Sequence, residues 1–146
     1  MHIRKQLYNS LFKPHLEFGV LAWGGVKANL LKNIVSLQKK CVRNVANKHF
    51  RSHTDPLFEY LNILKFSDIF ELNSVLFMHK FAYGRIPPAI NNLFDPLAIN
   101  SRTGNYKLPK YKFTFFDKFP TTILPKMWNK QKSEIKNTLS YNSVKK

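Results

Sequence analysis

Eight carboxylates are available for acid–base chemistry or for holding a divalent cation, and no two are adjacent in the sequence. They are Glu17, Asp55, Glu59, Asp68, Glu71, Asp95, Asp117 and Glu134. Metal-assisted phosphoryl transfer needs carboxylates that cluster around the ions. Most of these acids instead stand near the start of an expected helix, where a negative charge is favourable. We therefore expect no catalytic residue, no metal site and no cofactor.

Cys41, His49 and His53 have a spacing that resembles a set of metal ligands. A structural zinc site needs four nitrogen or sulfur ligands, and Lys48 and Arg51 beside His49 disfavour a cation. Cys41 falls on the apolar face of an expected helix, where a thiol is usually inert. We interpret the three residues as a buried thiol and two turn histidines. A single cysteine also excludes an internal disulfide and a disulfide-stapled secreted domain.

Basic side chains dominate the charge of the chain, with 24 Lys and Arg against 8 Asp and Glu, for a net charge of +16. Residues 1–50 carry a net charge of +8, residues 51–100 carry −1, and residues 101–146 carry +9. This excess favours a polyanionic partner, RNA or DNA contacted through its phosphate backbone. A mixed solubilising surface would carry both signs more evenly.

A helix expected over residues 28–47 separates an apolar face from a basic one, at about 100° per residue. The apolar face holds Leu30, Ile34, Leu37, Cys41 and Val45, with Leu31 and Val42 at its edge. Lys32, Lys39 and Arg43 form a stripe on the opposite side, with Lys40 beside them, and the segment contains no acid. These four cations are candidate nucleic-acid-binding residues. An ordinary solvated helix face is the alternative, and the sequence leaves both open.

Lysines alternate with aromatic residues nearer the C-terminus. Lys107, Lys110 and Lys112 can neutralise phosphates while neighbouring rings stack on bases, so they are further candidates. The same alternation also describes a half-buried strand, which we favour for the phenylalanines. We therefore expect a strand within residues 107–116 that returns through residues 119–124 as a small hairpin.

The remaining pattern predicts mostly helices. A helix over residues 3–12 should end at Pro14, which can serve as an early residue of the next helix. The apolar segment 15–23 should form that next helix, buried and terminated by Gly24 and Gly25. A short helix is expected over residues 57–61. A central core helix should begin near Ser67 and end at Gly84, and another short helix should run over residues 87–93.

Residues 100–105 have turn chemistry, and the tail beyond Asn129 shows a weak helical pattern through Ile135 and Leu139. No run of 18 apolar residues is present, so a membrane-spanning helix is not expected. The start lacks the apolar core of a signal peptide, so we expect an intracellular protein. The expected fold is mainly α, a small helical domain (residues 1–95) followed by a short β-hairpin or irregular part with a helical tail (residues 96–146).

A series of short motifs resembles one family along essentially the whole chain. Residues 10–19 (SLFKPHLEFG) and the Trp23-Gly24 pair resemble the segment after the catalytic palm in reverse transcriptases of jockey-type non-LTR retrotransposons. The likeness continues through residues 37–43 (LQKKCVR, against LQKKAVR in the family), 53–58 (HTDPLF), 64–65 (LK), 76–80 (LFMHK), 87–88 (PP) and 126–129 (KMWN). The family usually has Leu-Pro after that Trp-Asn, where this chain has Lys130-Gln131.

The resemblance implies a thumb-like, C-terminal segment of an RNA-directed DNA polymerase, and Met1 is then expected to be an internal start. The family's Tyr-x-Asp-Asp motif lies before this segment and is absent from the chain, so no catalytic residue can be carried over. The expected function is binding of primer–template or element RNA beside a polymerase active site.

Two alternatives remain open at the level of sequence. The first is a protein-interaction module that packs on the palm or another partner through Phe12, Phe18 and Trp23, with no independent nucleic-acid binding. The second is a protein that binds a membrane surface. On balance we expect nucleic acid and the palm as partners, with no membrane and no small-molecule substrate.

Overall fold

A computed structural model describes residues 2–94, 99–100, 103–108 and 110–136 of the chain. Its described residues are mainly α-helical, which confirms the expected fold class. The chain divides into two compact units, Met1–Phe70 and Glu71–Lys146. The expected organisation into residues 1–95 and 96–146 stays a prediction.

The first helical stretch runs from His2 to Glu17 and does not end at Pro14, contrary to the sequence prediction. It comprises α1 (His2–Leu7), a π-helical turn (Tyr8–Phe12) and α2 (Lys13–Glu17). The π turn closes with a hydrogen bond from the Lys13 N–H to the Tyr8 carbonyl. Pro14 stands in the first turn of α2, where proline is well tolerated, and this position at the start of a second helix is the predicted one.

Residues 15–23 do not form the single buried helix that their composition predicts. Phe18 is extended and Gly19 is left-handed (φ 60°), so α3 (Val20–Trp23) is separate from α2. Glycine adopts this conformation without a steric penalty, which explains the position of the break. The break sends neighbouring apolar residues in different directions: Leu16 and Val20 are buried, and Phe18 is 82% exposed.

The first unit is completed by α4 (Ala28–Val45), α5 (Asp55–Tyr60) and the opening residues of α6 (Phe66–Ala82). Helices α4 and α5 both end in a left-handed asparagine, Asn47 (φ 55°) and Asn62 (φ 48°). The next N–H donates back to the carbonyl five residues earlier in both cases, which is the Schellman arrangement. The hydrophobic core beneath these helices consists of Tyr8, Val42, Val45, Phe58, Leu61 and Ile63.

The buried face of α4 differs from the predicted one. Leu30 and Leu37 are 70% and 51% exposed, whereas Gln38, Val42 and Val45 are buried. The buried side is therefore centred on a polar residue, about 60° around the axis from the expected apolar centre.

Gln38 takes that central position because its amide makes three long-range hydrogen bonds. Its Nε2 donates to the Tyr8 hydroxyl (3.0 Å) and to the Leu64 carbonyl (2.9 Å). Its Oε1 accepts the N–H of Phe66, the first residue of α6 (2.9 Å). The first N–H groups of a helix have no partner within the helix, so Gln38 caps α6 from a different helix.

In the second unit, α6 reaches Ala82, and Gly84 (φ 64°) provides the predicted stop. The chain continues through α7 (Pro88–Asn91), a 3₁₀ turn (Asn92–Phe94), β1 (Ile99–Asn100) and β2 (Asn105–Tyr106). A second 3₁₀ turn (Thr114–Lys118), α8 (Pro120–Asn129) and α9 (Ser133–Lys136) follow. Residues Ser101 and Arg102 of the predicted turn, and residues 137–146 of the expected helical tail, lie outside the described residues.

The predicted hairpin over residues 107–116 and 119–124 is wrong in position. The antiparallel pair is instead β1 with β2, with Ile99 opposite Tyr106. Asn129 explains this placement, because its side-chain amide accepts from the Tyr106 N–H (2.9 Å) and donates to the Tyr106 carbonyl (2.8 Å). The buried Trp128 adds a hydrogen bond from Nε1 to the Gly104 carbonyl (3.1 Å), so α8 holds the hairpin through side chains.

Candidate nucleic-acid interface

Three of the four predicted cations on α4 are exposed: Lys32, Lys39 and Lys40. Lys32 and Lys39 lie about 20° apart around the helix axis, two turns from each other, because seven residues make nearly two full turns. Lys40, the residue after Lys39, lies about 100° from it around the axis. The three amines therefore share one broad side of α4, and α4 is the rigid element that positions them.

Arg43, the fourth predicted cation, makes a hydrogen bond inside the protein. It is half-buried, and its Nε donates to the Ser52 carbonyl (2.8 Å). This bond ties the turn after α4 back to the last turn of the helix. Arg43 therefore has a structural role that the three lysines lack.

The segment of the chain that carries these residues is strongly positive. Residues 18–54 contain seven Lys and Arg and no Asp or Glu. The next acid, Asp55, is paired with Lys65, with 2.6 Å between Oδ1 and Nζ. The hydrogen bond from Lys65 lowers the pKa of Asp55, and the charge of Lys39 adds a smaller effect in the same direction. The carboxylate nearest to Lys39 along the chain is thus already neutralised by another lysine.

The turn after α4 carries a feature that the sequence reasoning missed, an exposed ring at Phe50 among cationic neighbours. The imidazole of His49 lies 4.4 Å from the Phe50 ring centroid, and the Arg51 guanidinium carbon lies 5.1 Å from it. The signal that would have revealed it is one aromatic residue within the run Lys48-His49-Phe50-Arg51.

The second predicted set, Lys107, Lys110 and Lys112, belongs to the other unit and is exposed throughout. No strand forms here in the described residues. The strand explanation for the neighbouring phenylalanines is therefore wrong, and Phe113, Phe115 and Phe119 are exposed. Tyr111 and Phe116 stack with centroids 5.0 Å apart, and Phe116 contacts Phe119 at 5.3 Å. Exposed rings thus accompany the lysines.

The residues proposed for a protein-interaction surface differ in their exposure to solvent. Phe12 packs against the core of the first unit. Trp23 stacks on Phe66 with centroids 5.3 Å apart, and its Nε1 donates to the Phe18 carbonyl (2.8 Å). Phe18 is the one of the three that presents most of its ring to solvent.

Among the described residues, no three His, Cys, Asp or Glu side chains come together as a metal site. Cys41 packs against the core, and burial raises the pKa of its thiol, which disfavours the reactive thiolate. The Nδ1 of His49 accepts a hydrogen bond from the Arg51 N–H (3.3 Å).

In the described part of the chain, no helix combines the length and apolarity that crossing a membrane requires. Comparison with protein-family models, with curated proteins and with solved structures finds no match to this chain.

Proposed function

We propose that this chain binds RNA or DNA through the phosphate backbone, as a thumb-like segment of a non-LTR retrotransposon reverse transcriptase that follows the palm. The observation that carries the proposal is the cationic side of α4, where Lys32, Lys39 and Lys40 are exposed within a stretch of 37 residues that lacks any acid. The polymerase context comes from the resemblance in sequence. In this proposal the chain supplies binding, and the palm supplies the catalytic carboxylates.

The physical basis is the release of counterions from the nucleic acid. Each lysine that neutralises a phosphate displaces condensed cations, so the logarithm of affinity falls with the logarithm of salt concentration. The slope is about −0.9 per contact on duplex DNA and about −0.7 on single strands. Such contacts carry little sequence information, so binding should be similar for unrelated sequences.

The test replaces Lys32, Lys39 and Lys40 together by Gln and measures binding of a labelled single strand by fluorescence anisotropy between 50 and 200 mM salt. Loss of three contacts should flatten the slope by about two units. Over this fourfold rise in salt, the wild type should then lose about 16-fold more affinity than the variant.

The matched control removes the same charge from Lys126, Lys130 and Lys132, which are exposed lysines of the second unit. This control should keep the wild-type slope if α4 is the site. Equal losses in both triple variants would mean that the net charge acts diffusely, and a wild type that binds no nucleic acid would refute the proposal. Circular dichroism should confirm the fold of each variant, because exposed polar substitutions usually change stability by only about ±0.5 kcal/mol.

A row of exposed apolar residues favours a second candidate function, packing on a protein such as the palm. Ile3, Leu7 and Leu11 recur every four residues on the first helical stretch, and all three are exposed. The test measures association with the isolated palm of such an element, using a Leu7→Ser, Leu11→Ser double variant. Salt-insensitive association that this variant abolishes, without nucleic-acid binding, would favour this function over the first.

A further inference from the structure

The turn that follows α4 presents the ring of Phe50 to solvent beside a histidine and an arginine. The residue is 68% exposed even though His49 and Arg51 both contact its ring. The side chain has no part in the core of the first unit. The ring is therefore available for contact with a binding partner.

Hydrogen bonds on both sides fix the backbone that carries this ring. The Schellman bond from the Lys48 N–H to the Arg43 carbonyl (2.9 Å) closes α4. The Ser52 N–H donates to the His49 carbonyl (2.9 Å), which makes residues 49–52 a β-turn with Phe50 in its second position. The Arg43 Nε bond to the Ser52 carbonyl (2.8 Å) then ties this turn to the helix. The ring is therefore presented on a pre-organised support, which lowers the entropic cost of binding through it.

We propose that Phe50 is a stacking platform for an unpaired base of single-stranded RNA or DNA, an inference that rests on the proposed function. The π-face of every base can stack on an aromatic ring, so this contact tolerates any sequence. Lys48 and Arg51 lie on either side of Phe50 in the sequence and are exposed, so they can meet the phosphates that neighbour the stacked base.

A duplex fits this turn less well than a single strand. Bases in a duplex are stacked on one another, and an exposed base face becomes available only when a base leaves the stack. The cationic side of α4 can bind the phosphates of either form. The ring should therefore add affinity for single strands and leave duplex affinity unchanged.

The experiment compares Phe50→Ala with Phe18→Ala, a control on the other strongly exposed phenylalanine of the same unit. The probes are a labelled 12-nucleotide oligouridine and a 12-base-pair duplex, both titrated with the full chain. Phe50→Ala should weaken binding of the oligouridine about 5- to 150-fold, the effect of one stacked base. Its duplex affinity and its salt slope should match those of the wild type, because the ring carries no charge. Phe18→Ala should bind both probes like the wild type.

Two further substitutions at the same position separate stacking from apolar contact and from misfolding. Phe50→Leu keeps an apolar side chain without a π-face and should bind like Phe50→Ala. Phe50→Trp should retain the affinity, and its fluorescence should be quenched when the oligouridine binds, relative to the wild-type chain. Normal binding by Phe50→Leu, or an unquenched Phe50→Trp that binds fully, would overturn the stacking role.

The outcomes also separate this inference from the proposed function. A wild type that fails to bind either probe removes the proposed function and the inference with it. A wild type that binds with the expected salt slope while Phe50→Ala binds equally well leaves the function standing and refutes the platform. Equal losses in Phe50→Ala and Phe18→Ala, or equal losses on both probes, would also refute it, because neither result is specific to a stacked base.

Discussion

Replacing Gln38 by Leu should destabilise the first unit more strongly than any exposed substitution in that unit. The change keeps a side chain of similar size in a site that is 1% exposed, and it removes all three hydrogen bonds. The largest energetic cost falls on the Phe66 N–H. This group is buried and, as the first N–H of α6, has no other hydrogen-bond partner in its own helix. The exposed residue Leu64 can turn its carbonyl to water.

The magnitude follows from what each partner loses. A buried donor without an acceptor costs about 1–3 kcal/mol. The Tyr8 hydroxyl loses the hydrogen bond that it accepts from Gln38, which is worth about 1 kcal/mol. We therefore expect the free energy of unfolding to fall by about 2–4 kcal/mol, a large part of the usual stability of a small domain.

Urea denaturation followed by circular dichroism measures the loss, with Gln6→Leu as the control because Gln6 is an exposed glutamine of α1. Hydrogen exchange at the Phe66 amide gives a local readout, since its protection should drop in Gln38→Leu alone. The pKa of Tyr8 is raised by burial and partly lowered again by the Gln38 bond, so it should rise further in the variant. Equal stability of the two variants, with Phe66 still protected, would refute the role of Gln38.

Three further predictions concern single sites. Gly24→Ala should lower the free energy of unfolding by about 1–3 kcal/mol, because a Cβ there would overlap both the Phe70 ring and the Val20 carbonyl oxygen. A truncating Phe70→Leu change made together with it should recover only the part of the loss that comes from the ring, in the same urea titration. The buried Tyr106 hydroxyl has no hydrogen-bond partner among the described residues, so Tyr106→Phe should stabilise the chain by about 1 kcal/mol. Burial raises the pKa of Tyr106 to about 12, above the unfolded value of about 10. The contribution of this shift to the free energy of unfolding is present below pH values of about 10 and is lost as the pH rises toward 12. The Tyr106→Phe variant should therefore lose less stability than the wild type between pH 9 and 11, and identical pH profiles would contradict this. The pKa of Asp55 is lowered by Lys65, so the stability that this ion pair adds is present above the unfolded value of about 3.9 and is lost as the pH falls through the folded value. The difference in Tm between wild type and Asp55→Asn should therefore shrink as the pH falls below about 3.9 and also in 1 M salt, and a difference that persists in both conditions would rule out the ion pair as its cause.

Local patterns were enough to determine the mainly helical class and several helix boundaries. The helix over residues 28–47 and the stop at Gly84 both agree closely with the structure, because a helix depends on residues within one or two turns of each other. The charge imbalance is likewise a property of composition, and so is the exposure of Lys32, Lys39 and Lys40, which a helix without nearby acids nearly guarantees. Composition did not predict the break at Phe18, where the left-handed Gly19 separates α2 from α3. It also did not predict the π turn over residues 8–12, through which the first helical stretch continues past Pro14.

Tertiary structure decided which side of α4 is buried and where the hairpin forms. The polar side chain of Gln38 predicts a solvent-exposed position. Its hydrogen-bond partners, however, are 26 to 30 residues away in the sequence, and burial of the amide is favourable only when all of them are in place. Asn129 selects β2 in the same way, through two bonds to Tyr106 that span 23 residues. The position of Phe50 depends on the bond between Arg43 and Ser52. Hydropathy assigns each side chain a preference for water or for the core, and only the assembled chain supplies the hydrogen-bond partners that reverse it.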